Sequence, residues 1–90
     1  MCFRYRPEVG DAERDEHRAR LRALADLDAV VDLRVGADVV RSARSYDTGL
    51  VVTFRDRTAL QTYQVDSRHV PVAQSGAALC AHIVAVDFEV

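Results

Sequence analysis

The chain contains no lysine, no asparagine and no tryptophan, and only two cysteines, two prolines and four glycines among its 90 residues. Each shortage removes a class of function. Without lysine there is neither a Schiff-base amine nor the phosphate-cradling lysine of a P-loop. Cys2 and Cys80 are too few and too far apart for a CxxC redox or zinc motif, and a secreted domain of this size would carry more, so a reducing, cytoplasmic setting is expected. The spacing of His17, His69 and His82 suits no zinc motif, and no metal or other cofactor is implied. No apolar run reaches the length of a membrane span, and the opening MCFRYRPEVG lacks the apolar stretch of a signal peptide. The twelve cationic side chains, all arginine, are outnumbered by fourteen acidic ones. A net charge of -2 supplies no positive field, so neither nucleic acid nor an anionic membrane is an expected partner.

What is present describes a folded domain spanning 1–90. The chain is 49% hydrophobic and 29% charged, too apolar for disorder. A chain this short hides only about 60% of the surface its unfolded form exposes, so its own core is thin.

The patterning divides into six elements. Residues 2–6 alternate loosely before Pro7 and Gly10 and read as a first strand. From Asp11, a plausible N-cap, the period turns helical: acids crowd the first turn, and His17, Leu21, Leu24 and Ala25 form an apolar stripe. Residues 29–36 alternate as a second strand, with Val31, Leu33 and Val35 against Asp32 and Arg34. Residues 37–47 show no period and read as a long connection, Asp47 belonging to the turn into the next strand. Residues 48–54 form a third strand with apolar groups on both faces. A short helix follows, capped by Asp56, with Ala59, Leu60 and Tyr63 on one side. Pro71 requires a new helix to start near residues 69–71, which places His69 at a break. Residues 83–90 read as a last strand, Val84, Val86, Phe88 and Val90 sharing one side.

This order is the ferredoxin-like βαββαβ arrangement of the α+β class, with a four-stranded antiparallel sheet and both helices on one side. The third and fourth strands carry valine, leucine and phenylalanine on both faces, so the face without helices needs a cover. A second copy can supply it across a two-fold axis, closing two sheets into a dimeric α/β-barrel.

Three segments, SYDTGLVVTF, TALQTYQVDSRHVPV and IVAVDFEV, resemble the stress-responsive dimeric α/β-barrel (Dabb) family in the right order and cover nearly the whole chain. The resemblance implies the same fold and a barrel-forming homodimer. It also implies a cavity between sheet and helices that binds a small apolar or aromatic molecule. In plant polyketide cyclases of that family, a tyrosine and a histidine fold a linear polyketide by aldol-type closure, and these match Tyr63 and His69. The sequence departs from those cyclases at Thr48, where they carry a histidine, at Ser67, where proline is usual, and in QSGAAL of the last helix. The family's first-strand histidine has no counterpart in these residues.

Two functions stay open on these residues. In a binding protein, Tyr5, Phe54 and Phe88 are the expected ligand contacts. In a cofactor-independent cyclase, His69 would be the general base and Tyr63 the donor to a developing enolate oxygen. The helix dipole at residue 69 favours a neutral ring able to accept a proton. The competing structural reading has His69 satisfying backbone groups at the helix junction while Tyr63 packs its ring. Asp66 could orient His69, although an Asp before Ser ordinarily caps a helix. His17 and His82 read as packed or edge residues, Arg41 and Arg44 as solvated loop charges, and the cysteines as small buried hydrophobes. A cofactor-free monooxygenase ranks last, because such enzymes lean on asparagine and tryptophan.

Overall fold

In the computed structural model, which describes all 90 residues, four strands and three helices alternate along the chain. Strand β1 is Cys2–Tyr5, helix α1 Asp11–Arg22, β2 Val30–Ala37, β3 Thr48–Phe54, α2 Arg57–Val65, α3 His69–Leu79 and β4 Cys80–Val84. The sheet order is β2-β3-β1-β4 and every neighbouring pair is antiparallel. This is the ferredoxin-like fold, and its 36 × 27 × 17 Å extents are those of a slab with helices on one side only.

Local chemistry sets the element boundaries. The Asp56 carboxylate accepts the Ala59 N–H at 2.8 Å and starts α2. At α1 the N-cap is Gly10 rather than Asp11, with the Glu13 carboxylate reaching back to the Gly10 N–H. The apolar stripe of that helix also ends earlier than its period suggests. After Arg22 the chain tightens into a 3-10 turn, Ala23–Asp26, which buries Leu24 and leaves Ala25 exposed, and Leu27 enters the core instead. Residues 38–47 form the long connection, where the Arg41 N–H bonds the Asp38 carboxylate at 2.6 Å. Arg41 holds a left-handed φ of 59° in this loop.

The register decides which side chains face the helices. Leu33 opposes Val52, Val35 opposes Leu50, and Phe3 lies between Thr48 and Ile83. These residues face α1 and α3 and pack with Tyr5, Val9, Leu21 and Cys80 as the main core. A second cluster of Leu24, Leu27 and Tyr63 continues it toward Phe54 and Val72. On the opposite face, Gly36, Gly49, Cys2 and Val84 form one row across all four strands.

The last strand differs from its expected span of 83–90. It begins at Cys80, straight out of α3, and ends at Val84, which pairs with Cys2. Beyond Val84, β1 has no further strand residue to pair with, so residues 85–90 lie outside the sheet with Val86 and Phe88 exposed. Cys2, expected to be buried, is exposed because strand alternation turns it to the helix-free face; Cys80 is buried, and both thiols are free.

Candidate functional site

The residues singled out from sequence fall into two assemblies. The first forms where β3, α2 and α3 meet. Phe54 ends β3, Tyr63 lies in the last turn of α2, and His69 opens α3. Their rings pack in series, Phe54 to Tyr63 at 5.0 Å between centroids and Tyr63 to His69 at 4.2 Å with planes tilted by 37°. An unbroken helix would set positions 63 and 69 about 120° apart. The chain reverses that offset by stopping α2 at Asp66, whose backbone is extended.

Asp66 is the hinge of this junction. Its carboxylate accepts the Arg68 N–H at 2.7 Å, and its carbonyl accepts the His69 and Val70 N–H groups, both at 3.0 Å. Its carboxylate closes a tight turn ahead of α3 and makes no hydrogen bond to the His69 ring. Arg68 pins the junction to the preceding 3-10 turn through Asp26 at 2.8 Å and the Ala23 carbonyl at 3.1 Å. The His69 ring instead places Nδ1 3.3 Å from the Gln64 carbonyl. A carbonyl only accepts, so Nδ1 donates there and the lone pair is left on Nε2. Tyr63 is buried and His69 half-buried. Burial raises the Tyr63 phenol above its ordinary value, which keeps it a neutral hydrogen-bond donor.

Tyr5 stands elsewhere, in a buried polar assembly that sequence reasoning did not find. Its hydroxyl lies 2.7 Å from His17 Nδ1 and 3.0 Å from Thr48 Oγ1, and Arg18 reaches Thr48 Oγ1 at 2.8 Å. His17 is 2% exposed and meets the edges of Phe3 and Tyr5. Burial lowers its pKa, with a further push from Arg18 and Arg20, while burial raises that of Tyr5. The only sequence signal was a histidine on an apolar helical stripe; without the register of Phe3 against Thr48, nothing joined it to Tyr5. Asp47 braces the same region, accepting the Tyr5 N–H at 2.9 Å and facing Arg14 at 3.6 Å.

Phe88 joins neither assembly and is 76% exposed in the tail. The side of the sheet toward the helices, where a cavity was expected, is occupied by the two apolar clusters. An open concavity of about 550 Å³ lies instead along the β2–β3 end of the sheet, its lining including Cys2, Arg34, Gly36, Tyr46, Gly49 and Val51. Its floor is Gly36 beside Gly49, each with open space where a side chain would stand. The Arg4 guanidinium lies 4.4 Å from the centroid of the Tyr46 ring at the edge. Nowhere do three His, Cys, Asp or Glu side chains gather as a metal site.

Known structures share this architecture. A dimeric ferredoxin-like protein of unknown function from Thermobifida fusca superposes with a TM-score of 0.89 at 24% identity, over 99% of this chain and 85% of its own. A second protein so described, from Jannaschia sp., gives 0.81 at 28% identity, over 99% and 93%. An Arabidopsis thaliana protein gives 0.83 at 15% identity, over 98% and 88%. No curated protein matches the sequence. The family signal covers the full length: residues 1–90 match the stress responsive A/B barrel domain, and the chain belongs to that family, Dabb.

Proposed function

We propose that the chain acts as a homodimeric barrel, a second copy covering the helix-free face of the sheet, and that it binds a small apolar or aromatic molecule in the cytoplasm. The observation that carries the dimer is surface that one chain leaves unburied. Its accessible area is 6188 Å² at 10.0 kDa. A compact monomer of that mass exposes roughly 5,200 Å², and the surplus is close to the ~800 Å² that each partner gives to a standard interface. Exposed apolar side chains lie on that face at Val51 and Val84 and continue into the tail at Val86 and Phe88. The Thermobifida and Jannaschia proteins are both described as dimeric.

Cys2 offers a test that needs no ligand. Its thiol is exposed on a single chain, and the proposed second copy would cover it. A bulky maleimide should label it far more slowly in the native protein than in urea, and labelling at the unfolded rate would reject the covered face.

The ligand's place on this reading is the aromatic corner of Phe54, Tyr63 and His69, with Leu33 and Val72 as its apolar walls. A ligand enters there by parting packed rings. Titration with 2-naphthol should therefore shift the NMR signals of Tyr63 and His69 before those of Tyr46 at the other face; the opposite order would move the site to the concavity.

One observation favours cyclase chemistry as a second reading: the His69 ring, its Nδ1 turned to the Gln64 carbonyl, packs with its centroid 4.2 Å from that of Tyr63. His69 would remove a proton next to one carbonyl, and the resulting carbanion would attack a second carbonyl carbon while Tyr63 hydrogen-bonds the developing oxyanion. His69→Ala should abolish turnover of a poly-β-ketone while the circular dichroism spectrum stays native. Unchanged turnover would remove His69 as the base.

A further inference from the structure

The most deeply buried titratable side chain in this fold lies outside the aromatic corner. His17 sits in the middle of α1, where β1 and α3 meet it, and only one of its ring nitrogens has a hydrogen-bond partner. A guanidinium has only donors, so Arg18 donates to Thr48 Oγ1. Thr48 Oγ1 keeps a second lone pair, so the Tyr5 hydroxyl either accepts from Thr48 and donates to His17 Nδ1, or donates to Thr48 and accepts from an Nδ1–H. In both arrangements the remaining ring nitrogen is Nε2. That atom is buried with no partner. It faces Gly76 of α3 so closely that a Cβ there would stand 2.6 Å away.

A second proton has no place in this arrangement. The imidazolium carries an N–H on both ring nitrogens, and the one on Nε2 finds no acceptor. The surrounding charges do not relieve it. On α1 itself, Arg18 and Arg20 oppose the imidazolium, and the Arg14 guanidinium lies 5.0 Å from the Tyr5 ring centroid. From β1 the ring meets Phe3 and Tyr5 and from α3 Gly76, with Thr48 of β3 and the Cys80 thiol beyond Tyr5. The carboxylate of Asp15 is taken by Arg18, and that of Asp47 by Arg14 and the Tyr5 N–H.

We propose that His17 is an acid-sensitive lock: as a neutral ring it clamps α1 and α3 onto β1 and β3, and a single proton releases the clamp. The lock is independent of any ligand and of the Tyr63–His69 pair. Its sign follows from which state binds the proton. The unfolded chain takes it up near the ordinary histidine value of about 6.5, whereas the folded ring resists it. Stability owed to this group is therefore full above that pH. It falls as pH drops, by up to tenfold per pH unit in the folding equilibrium constant, until the folded ring itself titrates.

The test is urea unfolding of the full chain at fixed concentration from pH 7.5 to 4.5, beside His17→Gln, whose amide keeps a hydrogen bond to Tyr5 in either direction without titrating. The wild type should lose stability steeply below pH 6.5, and the variant should lack that share of the slope. Imidazole ¹⁵N shifts of the wild type should report a neutral ring persisting below the pH at which an ordinary histidine titrates. Superimposable pH profiles, or a ring titrating at about 6.5 or above, would overturn the proposal. If His17→Gln does not fold, the ring shifts decide alone.

Discussion

Replacing Gly76 by alanine reverses the usual rule for a glycine inside a helix. In α3 the change should stabilise by about 0.5–1 kcal/mol through backbone entropy alone. The structure predicts the opposite sign. The new methyl would stand 2.6 Å from His17 Nε2 and 3.3 Å from Cδ2, well inside van der Waals contact. A flexible side chain would swing away, but this ring is tied at Nδ1 to Tyr5 and flanked by the Phe3 and Tyr5 edges. Overpacking of this kind costs roughly 1–3 kcal/mol, which after the entropy gain leaves a net loss of up to about 2.5 kcal/mol. In a domain of this size that lowers the melting temperature by about 4–8 °C per kcal/mol. Thermal melts at fixed protein concentration, read by circular dichroism, measure it. Combining Gly76→Ala with His17→Ala removes the collision, so the two changes should be strongly non-additive, the double variant being more stable than their sum. A rise in melting temperature for Gly76→Ala alone would refute the close contact and the reasoning built on it.

Three further outcomes follow from the core, a cap and the open face. Leu24→Ala empties one of the most buried side chains and should cost about 2–5 kcal/mol, a large share of the ~5–15 kcal/mol typical of a whole domain, seen as a lower urea midpoint. Asp56→Ala removes the acceptor of the Ala59 N–H and should cost about 1 kcal/mol by the same assay. Val51→Asp puts a carboxylate on the helix-free face; light scattering after gel filtration should find single chains with unchanged helical circular dichroism, and an intact pair would show that Val51 lies outside the interface.

The order of elements along the chain was legible because alternation at Leu33 and Val35, at Leu50 and Val52, and the break at Pro71 are properties of short windows. Tyr63 and His69 could be placed near each other for the same reason, since the interruption between α2 and α3 is written in Asp66 to Pro71. Long-range register was not legible. Nothing local says that Phe3 opposes Thr48, and only that pairing brings Tyr5 to His17 and turns Cys2 outward. The last strand was read too long because residues 85–90 alternate as well as a strand does, whereas strand length also depends on a neighbour to pair with. The concavity at Gly36 and Gly49 was likewise invisible, since two glycines 13 positions apart become neighbours only through the β2–β3 ladder.

The account turns on a second copy closing the bare face of the sheet, and sedimentation equilibrium tests that most directly. Over micromolar concentrations at neutral pH, the wild-type chain should sediment with twice its 10.0 kDa mass. A stable, folded species of 10.0 kDa throughout that range would contradict it.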